Sequence, residues 1–293
     1  MTLPAVAKVE LRDWGKCGKR YFAWYAEPQP RKGGRPKEGF WMARTTTLLN
    51  SISKPALPLW YANCACQHWL ENILPGQSYT EDQLQIIGAE AKVRAEKERD
   101  AAASLGSSVH NAIQYRLERN EWPAWLLDAA PEVGHAVGCW AEWWETAGLT
   151  AVEVELTVAC VSLGYAGTLD CLAWDKEGNS VLCDWKTSKS LYPEHLWQVA
   201  AYATALQDHG RPLPDKAFIV RLPKNLDEPR AKFVCAWDEP ERRQKLITGW
   251  RTFVRADGMR PGSIKELDFG PSEKAVDDAF EFRGIKKGEE PNE

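Results

Sequence analysis

The stretch that decides the fold runs from Gly164 to Tyr202 and reads GYAGTLDCLAWDKEGNSVLCDWKTSKSLYPEHLWQVAAY. Its first half predicts two β-strands, residues 167–174 and 181–187, because apolar runs flank the turn-forming sequence KEGN. Its second half predicts a helix over residues 193–210, which has proline in its first turn and glycine just past its end. The stretch therefore predicts an antiparallel hairpin followed by a helix.

Three charged residues lie on this hairpin. Asp184 and Lys186 are two residues apart on one strand, so both project from the same face. A three-residue turn would place Lys186 directly opposite Asp170, about 5 Å away, and Asp184 one diagonal step away, about 7–8 Å. Two carboxylates at such a separation suit a hard divalent cation such as Mg²⁺, and a neighbouring lysine would neutralise developing negative charge or orient an attacking water.

A bland alternative is an ion pair of these residues on a solvated sheet face. The neighbours weigh against it, because both strands carry apolar residues on both faces, as a buried central strand does. These neighbours are Leu169, Leu172, Leu182 and Cys183. Buried charges persist only when they are paired or coordinated, so the pattern favours a site.

The order of motifs along the chain is more specific than any one of them. G-x-x-D, D-x-K and then Gln198-x-x-x-Tyr202 together resemble the RecB-like branch of the PD-(D/E)XK nuclease superfamily. The sequence GSSVH at residues 106–110 resembles the helical histidine motif of that branch. The sequence ARTTTLLNSISKPALPLW, residues 43–60, is similar to a segment of phage-type exonucleases and of the mitochondrial genome maintenance exonuclease. The resemblance covers roughly residues 41–210.

The resemblance implies a metal-dependent DNA exonuclease that uses an activated water and no covalent nucleophile. It implies that Asp170, Asp184 and the backbone carbonyl of Trp185 bind one or two Mg²⁺ or Mn²⁺ ions. His110 and Glu155 would complete the metal shell, with Glu153 as the fallback for Glu155, and Lys186 would activate or position water. Residues that would contact DNA or support the site are Gln198, Tyr202, Thr187, Thr46, Thr47, Lys54 and Arg44.

Other cofactors find little support in the sequence. Relatives with an iron–sulfur cluster use a C-terminal cysteine triplet, whereas only Cys235 follows the Gln/Tyr motif here. The pattern Cys64-x-Cys66-x-His68 has no second pair for zinc, and Gly18-Lys19 lacks the rest of a phosphate loop. We therefore expect no iron–sulfur cluster and no nucleotide.

The expected fold is α/β, with a central mixed β-sheet like the restriction-endonuclease core, flanked by helices, and a helical N-terminal region. We expect a basic, mostly helical DNA-guiding region at residues 1–80 and the nuclease core at 81–260. The last part, residues 261–293, reads as a charged and poorly ordered tail. No apolar run approaches the ~18 residues of a membrane helix, so we expect a cytoplasmic protein without a membrane partner, in a bacterial host if phage-encoded.

The charge is unevenly distributed. The 293 residues carry a net charge of −4, yet residues 1–60 contain 11 Lys or Arg and 4 Asp or Glu. This segment could supply phosphate contacts, from Arg31, Lys32, Arg35, Lys37, Arg44 and Lys54. The chain also has 15 Trp, of which we expect most to be core, with Trp41, Trp60 and Tyr61 as candidates for base stacking.

The expected function is therefore sequence-independent digestion of DNA ends or single strands, in phage-type recombination or DNA processing. A single-strand annealing or recombination protein is a candidate partner. Two alternatives stay open: a structure-specific or restriction-like endonuclease, and a DNA-binding scaffold of the same fold without turnover.

Overall fold

The computed structural model describes residues 5–13, 19–30, 35, 37–52, 54 and 56–257. The strands are β1 (Val6–Asp13), β2 (Lys19–Gln29), β3 (Lys37–Arg44), β4 (Thr150–Cys160), β5 (Tyr165–Trp174), β6 (Ser180–Lys186), β7 (Lys216–Arg221) and β8 (Lys232–Trp237). The helices are α1 (Thr45–Leu49), α2 (Ala56–Asn72), α3 (Glu81–Arg119), α4 (Pro131–Ala147), α5 (Pro193–Asp208) and α6 (Pro240–Asp257).

Within these ranges the strands form one mixed sheet of eight, in the order β1-β2-β3-β5-β6-β7-β8, with β4 added beside β5. Strand β5 pairs antiparallel with β4 and β6 and parallel with β3, while β6 and β7 are parallel. The expected α/β class with a central mixed sheet is confirmed.

Helices cover both faces of this sheet. Helix α5 carries the largest share of the core, since most of its residues are buried between the sheet and α6. Tyr165 of β5 ties the two helices together: its hydroxyl donates to the Ala201 carbonyl at 2.9 Å and accepts from Trp250 Nε1 at 2.9 Å. On the other face Trp185 packs edge-on against Trp140 and Trp143 of α4, each with its ring centroid 5.8 Å away.

The helical expectation for the N-terminal region is wrong for residues 6–13, 19–29 and 37–44, which form β1, β2 and β3. Tyr21, Ala23 and Met42 of these strands are buried against Ala159 and Ala166 of the central sheet. Aromatic residues on both faces of β2 hide the alternation of apolar and polar residues that marks a half-buried strand. Helices follow only at α1 and α2.

Other boundaries shift by a few residues. Helix α3 runs unbroken through Gly106, because an isolated glycine costs a helix only about 1 kcal/mol. The chain divides into two compact units. The first combines the residues before position 53 with the residues after position 111, and the second comprises residues 53–111. The predicted tail at 261–293 lies outside the described residues.

The second unit is held by charged contacts between α2 and its part of α3. Arg94 donates to both carboxylate oxygens of Glu71 and, through Nε, to Glu98 at 2.9 Å. His68 lies 3.3 Å from Glu90. Among the helices that the structure describes, none has the length and apolar character needed to cross a membrane.

Candidate functional site

The turn between β5 and β6 sets the register of the site. The ladder pairs Trp174 with Ser180 and ends at Cys171 and Cys183, so the loop has five residues, 175–179. Continuing this register by one residue places Asp170 opposite Asp184. The predicted register, with Lys186 opposite Asp170, is therefore wrong, and Lys186 takes the diagonal position.

Asp175 explains the longer turn. Its Oδ1 accepts the backbone N–H groups of Glu177 at 3.1 Å and Asn179 at 2.7 Å, which winds the loop around this carboxylate. Its Oδ2 accepts from Lys216 Nζ of β7 at 2.6 Å. The sequence around Asp175 does not reveal Lys216 as a partner, because Lys216 lies on β7, beyond β6 and α5 in the chain.

Asp170 is 7% exposed and is tied to the neighbouring strand. Its Oδ2 accepts a hydrogen bond from the backbone N–H of Trp185 at 2.6 Å. Trp185 lies between Asp184 and Lys186, so this bond holds the end of β6 against β5. It also orients the Asp170 carboxylate toward the face that carries those two side chains.

Asp184 is fully buried, and its carboxylate forms an ion pair with the ammonium group of Lys186. The Lys186 side chain remains 15% exposed, so its charge lies between the buried carboxylate and solvent. A buried carboxylate needs such compensation to stay ionised. The structure thus brings together the two aspartates and the lysine that the D-x-K motif predicts.

Glu155 and Glu153, which the sequence leaves as alternatives, have different surroundings. His110 lies on α3. Glu155 and Asp170 each offer a carboxylate oxygen, and these oxygens lie within 4.8 Å of each other. Glu153 instead forms a two-fold ion pair with Arg211, at 2.8 and 2.9 Å. This geometry favours Glu155 as the site glutamate.

The backbone at Glu155 has an unusual conformation. Its φ is +50°, in the left-handed region, although it lies within strand β4. A non-glycine residue in this region costs of order 1–3 kcal/mol and persists only where its surroundings impose it. Such strain is concentrated at functional sites, and here it occurs at a residue that can contribute to a metal shell.

Gln198 and Tyr202 of α5 pair as their spacing predicts: Gln198 Nε2 donates to the Tyr202 hydroxyl at 2.7 Å. Tyr202 is 3% exposed, and burial raises the pKa of its phenol well above the usual value, with a further upward contribution from Asp184 and then Asp170. The phenol therefore stays neutral beside the two carboxylates and remains a hydrogen-bond donor.

Gly167, the glycine of G-x-x-D, makes room for the Tyr202 ring. A Cβ at this position would lie 2.7 Å from Tyr202 Cε1 and 2.8 Å from Thr45 Oγ1. Thr45 is buried and donates to the Ala166 carbonyl at 3.1 Å. The sequence did not single out Thr45, although it begins the TTT run that the resemblance includes.

The remaining predicted residues differ in their exposure to solvent. Thr46, Thr47 and Arg44 are exposed around α1, Thr187 follows β6 and is half-buried, and Lys54 is half-buried. Arg35 and Lys37 are exposed, whereas Arg31 and Lys32 lie outside the described residues. Trp41 and Tyr61 are exposed, and Trp60 is half-buried.

Arg221 is a supporting residue that the sequence analysis missed. It pairs with Lys186 in the parallel β6–β7 ladder and is 5% exposed. Its guanidinium donates to the Lys189 carbonyl at 3.3 Å and forms an ion pair with Glu228. The Leu222 N–H donates to the Lys186 carbonyl at 2.7 Å, so β7 holds the end of β6.

The donor set fits a hard divalent cation. Carboxylate oxygens, here those of Glu155 and Asp170, are the ligands that Mg²⁺ and Mn²⁺ prefer. Asp184 faces the same patch from β6.

Two solved structures show partial similarity to this chain. An alkaline exonuclease from Laribacter hongkongensis is 14% identical, with a TM-score of 0.27 over 41% of this chain and 65% of its own. The crystal structure of SSO0001 is 15% identical, with a TM-score of 0.25 over 52% of this chain and 74% of its own. The chain thus spans just under two thirds of the exonuclease. Curated proteins give no match.

The family comparison covers most of the chain. A family model described as the PD-(D/E)XK nuclease superfamily matches residues 61–276. This range contains β4 to β8 and includes Asp170, Asp184 and Lys186. The chain belongs to the PD-(D/E)XK nuclease superfamily.

Proposed function

We propose that this protein is a metal-dependent deoxyribonuclease that hydrolyses phosphodiester bonds with an activated water, independently of sequence. The observation that supports this most directly is the convergence of Asp170, Asp184 and Lys186 on adjacent strands of a superfamily fold. The nucleophile in this proposal is water, as the resemblance to these nucleases implies, so no covalent enzyme intermediate forms.

The metal ligands would be Asp170 and Asp184, with Glu155, His110 and the Trp185 carbonyl completing the shell around Mg²⁺ or Mn²⁺. When bound, the ion polarises the phosphoryl oxygens and lowers the pKa of a coordinated water. Asp170 is already oriented by its hydrogen bond to Trp185, at 2.6 Å, so little reorganisation precedes binding.

Lys186 neutralises the charge that develops on the phosphate. Its ammonium is held by the Asp184 carboxylate at the mouth of the buried site, so it is positioned before substrate arrives. Tyr202 and Gln198 position the backbone of the substrate or the site itself, since the buried phenol remains a neutral donor.

We place the enzyme among phage-type exonucleases that act from DNA ends or on single strands, in the cytoplasm and in recombination or DNA processing. The motif order and the basic N-terminal segment support this assignment. A single-strand annealing or recombination protein would be the partner that uses its product.

The test is digestion of end-labelled single- and double-stranded DNA with Mg²⁺ or Mn²⁺. Lys186→Ala should lower the rate at least about a hundredfold, the usual weight of one charge-stabilising group. Lys189→Ala is the matched control, because Lys189 is exposed and three residues along the chain. Equal digestion by wild type and Lys186→Ala would refute the assignment. Closed circular DNA should remain intact, whereas its cleavage would identify an endonuclease.

A further inference from the structure

The N-terminal strands present an aromatic face away from the central sheet. Tyr21, Ala23 and Met42 point into the core, so strand alternation directs Phe22, Trp24 and Trp41 to the opposite side. Trp41 is 38% exposed, and the other two rings are half-buried. We call this the aromatic face; its basic residues are Lys8, Arg12 and Arg20.

The three rings are held in fixed positions. The Phe22 centroid lies 4.7 Å from that of Trp24 and 4.9 Å from that of Trp41, with interplanar angles of 73° and 74°. Gly39, opposite Trp24 on β3, allows this arrangement, since a Cβ there would lie 2.6 Å from Phe22 Cε1. The rings therefore form a pre-organised platform on the sheet surface.

Positive charge surrounds the platform. The Arg12 guanidinium carbon lies 5.2 Å from the Trp24 ring centroid and 5.9 Å from that of Phe22. Arg12 pairs with Arg20, and Lys8 with Trp24, across the β1–β2 ladder. Glu10 is the acid on this part of β1, and it contacts Lys8 at 2.6 Å and Arg12 at 3.0 Å. Lys8, Arg12, Arg20 and Glu10 together carry a net positive charge, which favours contact with a polyanion.

Aromatic rings and cations on one antiparallel sheet have the chemistry that binds unpaired nucleobases: the rings stack on bases and the cations contact phosphates. A duplex offers the phosphates but hides the base faces. We infer that the aromatic face binds single-stranded DNA, with bases on Trp24 and Trp41 and phosphates near Arg12 and Arg20. The choice of DNA rests on the proposed function, whereas the preference for single strands rests on this face.

The test measures binding without cleavage. Fluorescence anisotropy in EDTA compares a labelled oligo(dT), an abasic chain of the same length and a duplex, for wild type and Trp24→Leu/Trp41→Leu. Loss of the two rings should weaken oligo(dT) binding about tenfold or more and leave abasic binding nearly unchanged. The control is Trp125→Leu/Trp174→Leu, which removes two rings that are 43% and 47% exposed elsewhere.

Folding is checked with Trp24→Phe/Trp41→Phe, which keeps the rings and should retain most of the oligo(dT) affinity. Arg12→Gln should lower the slope of log affinity against log salt by about 1. Unchanged oligo(dT) binding by the leucine variant, or equal wild-type affinity for duplex and single strand, would overturn the inference. Cleavage assays separate the two proposals: single-strand binding that needs the rings, without metal-dependent digestion, would refute only the nuclease assignment.

Discussion

Asp170 and Trp185 are joined by a hydrogen bond of 2.6 Å between a carboxylate oxygen on β5 and a backbone N–H on β6. The bond closes the hairpin at the point where the regular ladder stops, after Cys171 and Cys183. The same carboxylate is a candidate metal ligand. Strand pairing and metal binding therefore depend on one side chain.

Two substitutions of Asp170 should separate these roles. Asp170→Asn keeps an acceptor for the Trp185 N–H but loses the charge, so we expect nuclease activity to fall strongly while the melting temperature changes little. Asp170→Ala also leaves the buried N–H unsatisfied, which should lower the free energy of unfolding by about 1–3 kcal/mol. Thermal unfolding and DNA digestion measure the two effects, and equal stability of both variants would contradict this division.

Gly167→Ala should displace the side chains that pack against Gly167, those of Tyr202 and Thr45. The new Cβ would meet Tyr202 Cε1 at 2.7 Å and Thr45 Oγ1 at 2.8 Å, and overpacking of this kind costs about 1–3 kcal/mol. Because Tyr202 must move, we expect activity to fall as well. Gly138→Ala is the control, since a Cβ there has no atom within 4 Å among the described residues and lies on helix α4. Chemical denaturation of both variants gives the comparison.

The two glutamates of β4 should behave differently. Glu155→Gln removes a candidate metal ligand, so digestion should fall strongly and require more Mg²⁺ for half-maximal rate. Glu153→Gln removes an ion pair with Arg211 in which both side chains are more than a third exposed, so stability should change by at most about 1 kcal/mol and activity should persist. A loss of activity with Glu153→Gln alone would reverse the assignment.

Glu155→Gly should make the protein more stable and less active. Glycine adopts φ = +50° without steric cost, so the substitution relieves strain of roughly 1 kcal/mol or more, partly offset by the greater flexibility of the unfolded chain. Activity should be lost because the carboxylate is gone. A lower free energy of unfolding for Glu155→Gly than for Glu155→Gln would show that the conformation is not strained.

Low pH should weaken the ion pair between Arg221 and Glu228, which lies beside the end of β6. The hydrogen bond from Arg221 holds the pKa of Glu228 below its usual value. A carboxyl whose pKa is lower in the folded chain adds stability above its unfolded pKa, about 4.3, and this contribution disappears as the pH falls through the folded value. Melting temperatures between pH 7 and pH 3 should fall more steeply for wild type than for Glu228→Gln.

At neutral pH, Glu228→Gln should itself lower the free energy of unfolding by about 1 kcal/mol, because it removes a charged partner of the buried Arg221 while the Glu228 side chain is 37% exposed and screened by solvent. Parallel melting curves of the two proteins across the acid range would argue against this role for the pair.

The hairpin shows what local sequence predicts well. The strands around Asp170 and Asp184 and the helix that carries Gln198 and Tyr202 follow from runs of apolar residues, proline and glycine, which act over a few residues. The register of the two strands does not follow from such short-range signals, because the turn is wound around Asp175, whose carboxylate is held by Lys216 from β7. A distant partner thus decides which side chain lies opposite Asp170.

The N-terminal strands show the opposite case. Residues 19–29 include Tyr21 and Ala23 in the core and Phe22 and Trp24 on the outer face, so neither face is polar. Without alternation, only the tertiary partners distinguish this segment from a buried helix or loop. The same aromatic outer face that obscures the strand is the feature that indicates a ligand.

The parallel pairing of β3 with β5 has a consequence for how the chain folds. Ala43 lies beside Tyr165 in this ladder, so β3 meets its partner only after about 120 further residues have been synthesised. The β1–β3 hairpins can form early by themselves, but they gain their burial against Ala159 and Ala166 late. We expect slow final docking of this segment, with its aromatic residues exposed to other chains in the meantime.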